Sequence, residues 1–443
     1  MPGMMNWEQL LSDTRCGSTH QSTTPPQKDR NEYDKDYGRV LFSSAFRRLQ
    51  DKTQVFPLGR NDYVRTRLTH SLEVAHIGSS LGMHVGNLLG EKRKELNDIM
   101  KPSGLATIVS TACLAHDIGN PPFGHSGEDA IESSLARHGV TRPFEGNAQG
   151  FRILTCTGDP MEGRGLKLTC AILGAFMKYP CTQSYSSAVK KKSIIPSNRL
   201  ECKKFGIGEP EREAASFVAG KLGLLPRHQP GAAELCWSRH PLAYLMEAAD
   251  DICYRIADIE DGFFSGLLDF SHARELFSPF LKERHLKYVG ELVQKGEEAS
   301  CVHYMRAIAI GASIQAAVNS FMDHEEELLQ GRMEQSLIDS STLSGALDGL
   351  YRYAMENVYQ AREVIEVEAM GYKVLGELID FFMEWVNHPA SGQSKKVDIM
   401  LQGAKLPKDD AGRDARLTHM LDYISGMTDS FALETYRKLT GIL

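Results

Sequence analysis

The chain has 443 residues, enough for a large buried core, and its 42% hydrophobic and 24% charged content is that of an ordinary globular protein. A formal net charge of −7 argues against a surface built as a whole for polyanions such as nucleic acid. No uninterrupted apolar run approaches the roughly twenty residues that a membrane-spanning helix needs.

In chain order, residues from Ser12 to Arg30 are rich in Ser, Thr, Gln and Pro, and residues 1–30 read as a mobile N-terminal segment. Helical periodicity begins at Tyr37. His70 opens an amphipathic helix, shares a face with Val74, Ile77 and Leu81, and should point inward. Arg67, three residues earlier, should face the same side. From Gly104 to Asp117 the apolar Leu105, Ile108, Val109 and Ala112 recur at helical spacing, and His116 falls on their stripe. The segment Gln183 to Glu211, broken by Pro196, Gly206, Gly208 and Pro210, is weak for helix and is expected as a lid or β-hairpin. Its Lys190-Lys191-Lys192 and Lys203-Lys204 make it the most basic stretch, read as a solvated loop.

Pro241 to Asp261 reads as a third helix, with Asp250 one turn after Met246 and one turn before Tyr254. Glu356 to Phe382 and Met420 to Leu439 have long amphipathic patterns without evident chemistry, and Ile365, Val367, Met370, Val374 and Leu375 make an apolar face expected to pack in the core. Between them His388 to Asp414 is weak for helix. There is no GxxxxGK[ST] loop and no GxGxxG after a strand.

Any single inward histidine is ordinarily a core residue. The conjunction is less ordinary: a His on one helix, His116-Asp117 ending the next and Asp250 on a third would fill four positions of an octahedral cation. Mixed imidazole and carboxylate donors suit Mn, Fe, Co, Ni or Zn, with Mg an option where a substrate adds oxygen ligands. A buried carboxylate such as Asp250 needs that cation or an equivalent set of donors.

The surrounding residues carry a resemblance. Phe46 to Pro57, Arg65 to Glu73 and His116-Asp117-Ile118-Gly119-Asn120-Pro121-Pro122-Phe123-Gly124-His125 resemble the deoxyguanosine triphosphate triphosphohydrolase family of the HD superfamily. Phe144 to Gln149, Met246 to Asp261, Glu366 to Val374 and Asp422 to Asp429 extend the match over nearly the whole chain. The resemblance implies an all-α, HD-domain helical fold with additional C-terminal helices and a small β-hairpin or lid insertion. Residues 31–443 would form a single elaborated domain, with a metal-site core at about 60–275 and a C-terminal helical part at about 276–443.

By the same resemblance the chain would hydrolyse dNTPs, dGTP foremost, to a deoxynucleoside and inorganic triphosphate on one divalent metal ion, Mg or Mn foremost. His70, His116, Asp117 and Asp250 match the metal ligands, and Asp251 stays outside them. His125 matches the proton-transfer residue. A protonated imidazole suits an alkoxide-like leaving group, while a base or nucleophile role stays open, and Glu128, three residues on, could fix the ring. Arg67, Lys178, Tyr179 and Lys204 match contacts to phosphate. Gln54, Tyr254 and Asp258 match the surround of the deoxyribose, and Glu145, Asn147 and Gln149 are expected along the same cleft. A homo-oligomer, hexamers included, is implied, with single-stranded DNA a minor partner.

Two other readings are an HD phosphohydrolase acting on another nucleotide and a nucleic-acid-binding protein with a vestigial HD site. The nine cysteines show no CxxC pair and are odd in number, and Met1 to Met5 has neither a basic nor an apolar signal region. Both features lead us to expect reduced thiols in a cytoplasmic protein.

Overall fold

The structure, a computed structural model, describes residues 3–17, 31–55, 64–158, 165–192, 200–228, 231–232, 234–389, 397, 400 and 412–442. Among these residues the fold is helical, with isolated β-bridges and no strand ladder. The helices that matter to the site are α1 (Glu32–Leu41), α2 (Arg67–Lys92), α3 (Pro102–Ala115), α4 (Gly124–Arg137), α5 (Gly146–Arg152), α6 (Cys170–Phe176), α7 (Gln183–Lys192), α8 (Pro241–Phe264), α9 (Glu298–Asp323), α10 (Ser344–Asn357), α11 (Arg362–Asn387), α12 (Arg413–Ser425) and α13 (Asp429–Thr440).

Helix α2 starts where Thr66 and Thr69 form a reciprocal capping box, satisfying donors that would otherwise be orphaned. It then presents Gly82 and Gly86 to α3. A Cβ on Gly82 would lie 2.7 Å from the Ala106 Cα, and one on Gly86 2.9 Å from the Pro102 Cα. The two backbones are therefore in direct contact, which fixes the helices carrying His70 and His116 relative to one another. Helix α8 packs on α2, α3 and α9. Its first turn is set by Pro241, and by His240, whose Nδ1 accepts from the Leu242 N–H at 3.0 Å.

One core runs through α2, α3, α6, α8 and α9. A second joins Ala130, Ile131 and Leu135 of α4 to Val374, Leu375, Leu378 and Phe382 of α11 and to Leu417, Met420 and Ile424 of α12. Helix α9 is long and apolar enough on composition to cross a membrane; here Cys301, Val302, Met305, Ala309 and Phe321 are buried in the first core.

The structure corrects several expectations. The N-terminal segment is not mobile throughout: Met5, Trp7, Leu10 and Leu11 are buried, and Arg15 pairs with Glu32 and with Asp36 at 2.6 Å. The polar composition hid this apolar anchor; residues 18–30 lie outside the described residues. The segment expected as a hairpin or lid begins with helix α7, followed after residues 193–199, which are outside the description, by a 3-10 turn at Leu200–Cys202. Among the described residues there, pairing is limited to isolated bridges, such as Thr182 with Ile207. The single pattern from Met420 to Leu439 is two helices, because the Thr428 side chain caps a new start by accepting from the Phe431 N–H. Most of His388 to Asp414 lies outside the described residues.

Candidate metal centre and cleft

Three ligand-type atoms converge where α2, α3 and α8 meet. His70 Nε2 lies 3.2 Å and His116 Nε2 3.5 Å from the same Asp250 oxygen, Oδ1. These residues form a group whose donor atoms are all within 4.8 Å of one another. The His116 Nδ1 lies 2.7 Å from the Cys113 carbonyl, so that nitrogen carries the proton and Nε2 faces the carboxylates. Asp250, not Asp251, joins the group; Asp251 turns to Arg255 at 3.5 Å.

Asp117 stands beside the trio rather than inside it. Its Oδ1 is 3.5 Å from His116 Nε2 and accepts from Asn120 Nδ2 at 2.6 Å, while Oδ2 accepts from Arg67 Nη1 at 2.6 Å. The set of donors suits a cation. Burial works against a charged His116, yet Asp117 and Asp250 outweigh it and raise its pKa to about 9. Burial likewise opposes ionised Asp250, but the His116 and His70 rings bring it well below the ordinary carboxylate range. The pocket thus holds a net demand for positive charge, with two imidazoles and two carboxylates to share it.

These residues floor a cleft of about 580 Å³ that contains all fourteen of the ligand, proton-transfer and substrate-contact residues expected from the sequence. His125 Nδ1 is 3.1 Å from Glu128 Oε2, and the Glu128 Oε1 accepts from the Gly146 N–H at 2.8 Å. Burial penalises the Glu128 carboxylate, but His125 and Lys204 prevail and lower its pKa. Lys204 lies 3.3 Å from Glu145 Oε2, and Glu145 Oε1 accepts from Asn147 Nδ2 at 2.7 Å. Lys178 lies 3.5 Å from Glu247, which also pairs with Arg239 at 2.7 Å. Burial would lower the Lys178 pKa; Glu247 and the Tyr179 hydroxyl reverse that and raise it. Arg239 stacks over the Tyr179 ring at 5.6 Å.

Among the described residues, two polar atoms in the cleft are buried without a hydrogen-bond partner, Gln54 Oε1 and Arg67 Nε. Orphaned buried polar atoms are costly, and in a cleft they are what a ligand would satisfy. At the far end the Tyr254 ring meets Tyr351 edge-on at 5.9 Å, and the Tyr359 hydroxyl donates to Asp258 Oδ2. Burial raises the Asp258 pKa to about 7, against the Tyr359 bond.

One expected lining residue is elsewhere. Gln149, one turn into α5, faces away from the cleft and donates to Asp422 on α12 at 2.9 Å. Conversely, the C-terminal third is not without a part in the site: Tyr351 and Met355 of α10, Tyr359, and Val364, Val367 and Glu368 of α11 line the cleft. Of the apolar face predicted there, Val374 and Leu375 are core, Val367 lines the cleft and Ile365 is exposed. The spacing of Val364, Val367 and Glu368 puts them on one helical face, the only signal in the sequence that they act together.

The sequence profile of the HD domain matches residues 67–151, which span α2 to α5, and that of the phosphohydrolase-associated domain matches residues 337–438, which span α10 to α13. A relative from Synechocystis sp., named deoxyguanosinetriphosphate triphosphohydrolase-like protein, is 39% identical over 99% of this chain and 100% of its own. Relatives of the same name from Pseudomonas aeruginosa (strain LESB58) and Listeria innocua are 36% and 31% identical, each over 99% of this chain and at least 99% of their own.

Proposed function

Because this chain belongs to the family of deoxyguanosinetriphosphate triphosphohydrolase-like proteins, an HD-domain phosphohydrolase family, we propose that it hydrolyses dNTPs, dGTP foremost, to a deoxynucleoside and inorganic triphosphate. The observation that carries this reading is the cleft itself, where a cation-seeking trio, a His–Glu pair, three basic side chains and a Tyr–Asp end wall meet in one space. A volume of about 580 Å³ suits a nucleotide-sized ligand.

In this reading His70, His116 and Asp250, with Asp117 beside them, hold one divalent cation, Mg or Mn foremost. Bound there, it supplies Lewis-acid polarisation of the α-phosphate. Arg67, Lys178 and Lys204 take up the triphosphate charge. Arg67 gives the clearest support, because its Nε has no partner while its Nη1 is anchored on Asp117. His125, oriented through Nδ1 by Glu128, delivers a proton to the departing 5′ oxygen. Tyr254 crowds the 2′ position, a steric wall against a ribose hydroxyl, while Gln54 and Asp258 read the 3′ hydroxyl and would reject a sugar that lacks it. The reading extends to a homo-oligomer, to be measured by light scattering.

The test is product analysis by phosphorus NMR after incubation with each dNTP and with GTP. Triphosphate should appear from dNTPs, fastest from dGTP, with little from GTP. Pyrophosphate or orthophosphate as the first product, or equal turnover of GTP and dGTP, would refute the reading.

A further inference from the structure

Against the basic wall of the cleft, three thiols come together from separate parts of the chain. Cys181 lies two residues after Tyr179, Cys202 two residues before Lys204, and Cys236 three residues before Arg239. The three form a buried cluster of their own, with Tyr185 and Phe205 packed against it, and none is in a disulfide. Cys181 and Cys236 face one another across an antiparallel β-bridge. The Cys202 and Cys236 sulfurs are 3.8 Å apart, and Cys181 packs in the same cluster with its thiol directed at the Glu201 and Lys204 carbonyls, 3.2 Å away.

A disulfide would join only two of these sulfurs, at about 2.05 Å, and leave the third thiol over. Around an ion with metal–sulfur distances of about 2.3 Å, adjacent corners of a tetrahedron are about 3.8 Å apart. The Cys202–Cys236 separation meets that edge length without movement. Soft, polarisable sulfur donors favour thiophilic ions such as zinc over hard, oxygen-seeking ions such as Mg and Mn.

We propose that Cys181, Cys202 and Cys236 form a second metal site, for a thiophilic ion of the zinc class, that staples the cleft's basic wall together. The thiols lose their protons to solvent as the ion binds. The Glu201 and Lys204 carbonyl oxygens, each 3.2 Å from the Cys181 sulfur and accepting its proton in the ion-free form, are oxygen donors at hand for a fourth position. Arg227, 3.6 Å from Glu201, and Arg239, donating to the Leu200 carbonyl at 3.2 Å, bring positive charge to the same turn, where a divalent ion with three thiolates carries one net negative charge. One ion would tie together the segments that carry Tyr179, Lys204 and Arg239.

The experiment uses the full chain, reduced and stripped of metal, titrated with Co²⁺. A sulfur-to-cobalt charge-transfer band in the near ultraviolet should grow to saturation at one ion per chain. The band should persist in Asp250→Ala, which damages the His and Asp trio, should bleach on adding Zn²⁺, and should be lost in Cys202→Ser and Cys236→Ser. In Asp250→Ala, Zn²⁺ should also slow amide hydrogen exchange in residues 179–182 and 200–207. No charge-transfer band in the wild type and in Asp250→Ala overturns the proposal, whether or not the serine variants fold. So does a band that survives Cys202→Ser, or a Cys202–Cys236 disulfide formed by mild oxidation in protein that gives no band.

Discussion

His125 is 85% exposed at its side chain, whereas the neighbouring Glu128 is 13% exposed, so the proton donor of the proposed reaction sits at the mouth of the cleft on a buried support. Removing the ring should therefore leave the floor of the cleft intact. His125→Ala is expected to lose about 10² to 10⁴ in turnover, the usual scale for general acid catalysis, with bound metal unchanged. Analogues with a better 5′ leaving group should recover rate in that variant. Rates that stay low with every leaving group would assign His125 a positional or nucleophilic role instead. The pairing of His125 with Glu128 is legible in the sequence as an i, i+3 spacing. That Glu128 also accepts from the Gly146 N–H is not, since it depends on how α5 docks.

At the scale of helices, the two imidazoles face each other because α2 and α3 approach through glycine. Gly82→Leu should force them apart, costing on the order of 1–3 kcal/mol by overpacking and lowering metal content as His70 and His116 separate. Thermal unfolding and metal analysis read this directly; unchanged stability with full metal content would show that the close approach is not needed. The start of α8 offers a pH test. Burial lowers the His240 pKa to about 4, against a bond from its Nε2 to the Leu10 carbonyl at 2.9 Å. Between the ordinary value of about 6.5 and that folded value the unfolded chain binds the extra proton, so stability falls as pH drops through this window, by up to about 3 kcal/mol. His240→Asn, which keeps a capping oxygen and does not titrate, should lose less stability than the wild type between pH 7.5 and pH 4.5. Parallel losses in denaturant titrations would remove His240 from the acid response.

Across the whole molecule, the start of α13 ties the two halves of the cleft. Asp429 accepts from the Thr53 N–H and the Phe123 N–H, both at 2.9 Å, beside Gln54 on one side and the His125 helix on the other. Lys52 adds bonds to the Asn120 carbonyl at 2.5 Å and the Ser425 carbonyl at 2.7 Å. Asp429→Ala would leave the buried Phe123 N–H and the part-buried Thr53 N–H without this acceptor and should cost on the order of 2 kcal/mol. It should also slow hydrolysis without touching a ligand residue. Wild-type stability in a denaturant titration would mean that other contacts hold these halves.

The sequence by itself determined the three helices that carry His70, His116 and Asp250, because a stripe of apolar side chains at helical spacing leaves few inward positions and a motif marks which of them are polar, and its family resemblance pointed to the all-α class. That resemblance, helped by the face that Asp250 shares with Tyr254, also pointed to Asp250 over Asp251. The sequence could not determine that Asp117 turns to Arg67 and Asn120, that Gln149 leaves the cleft for Asp422, or that Tyr351 and Tyr359 come round to close it. Those outcomes depend on distances between elements far apart in the chain. The thiols of Cys181, Cys202 and Cys236 are the extreme case: their spacing in the sequence carries no metal-ligand signature, and only the packing of the segments around the cleft brings three sulfurs into contact.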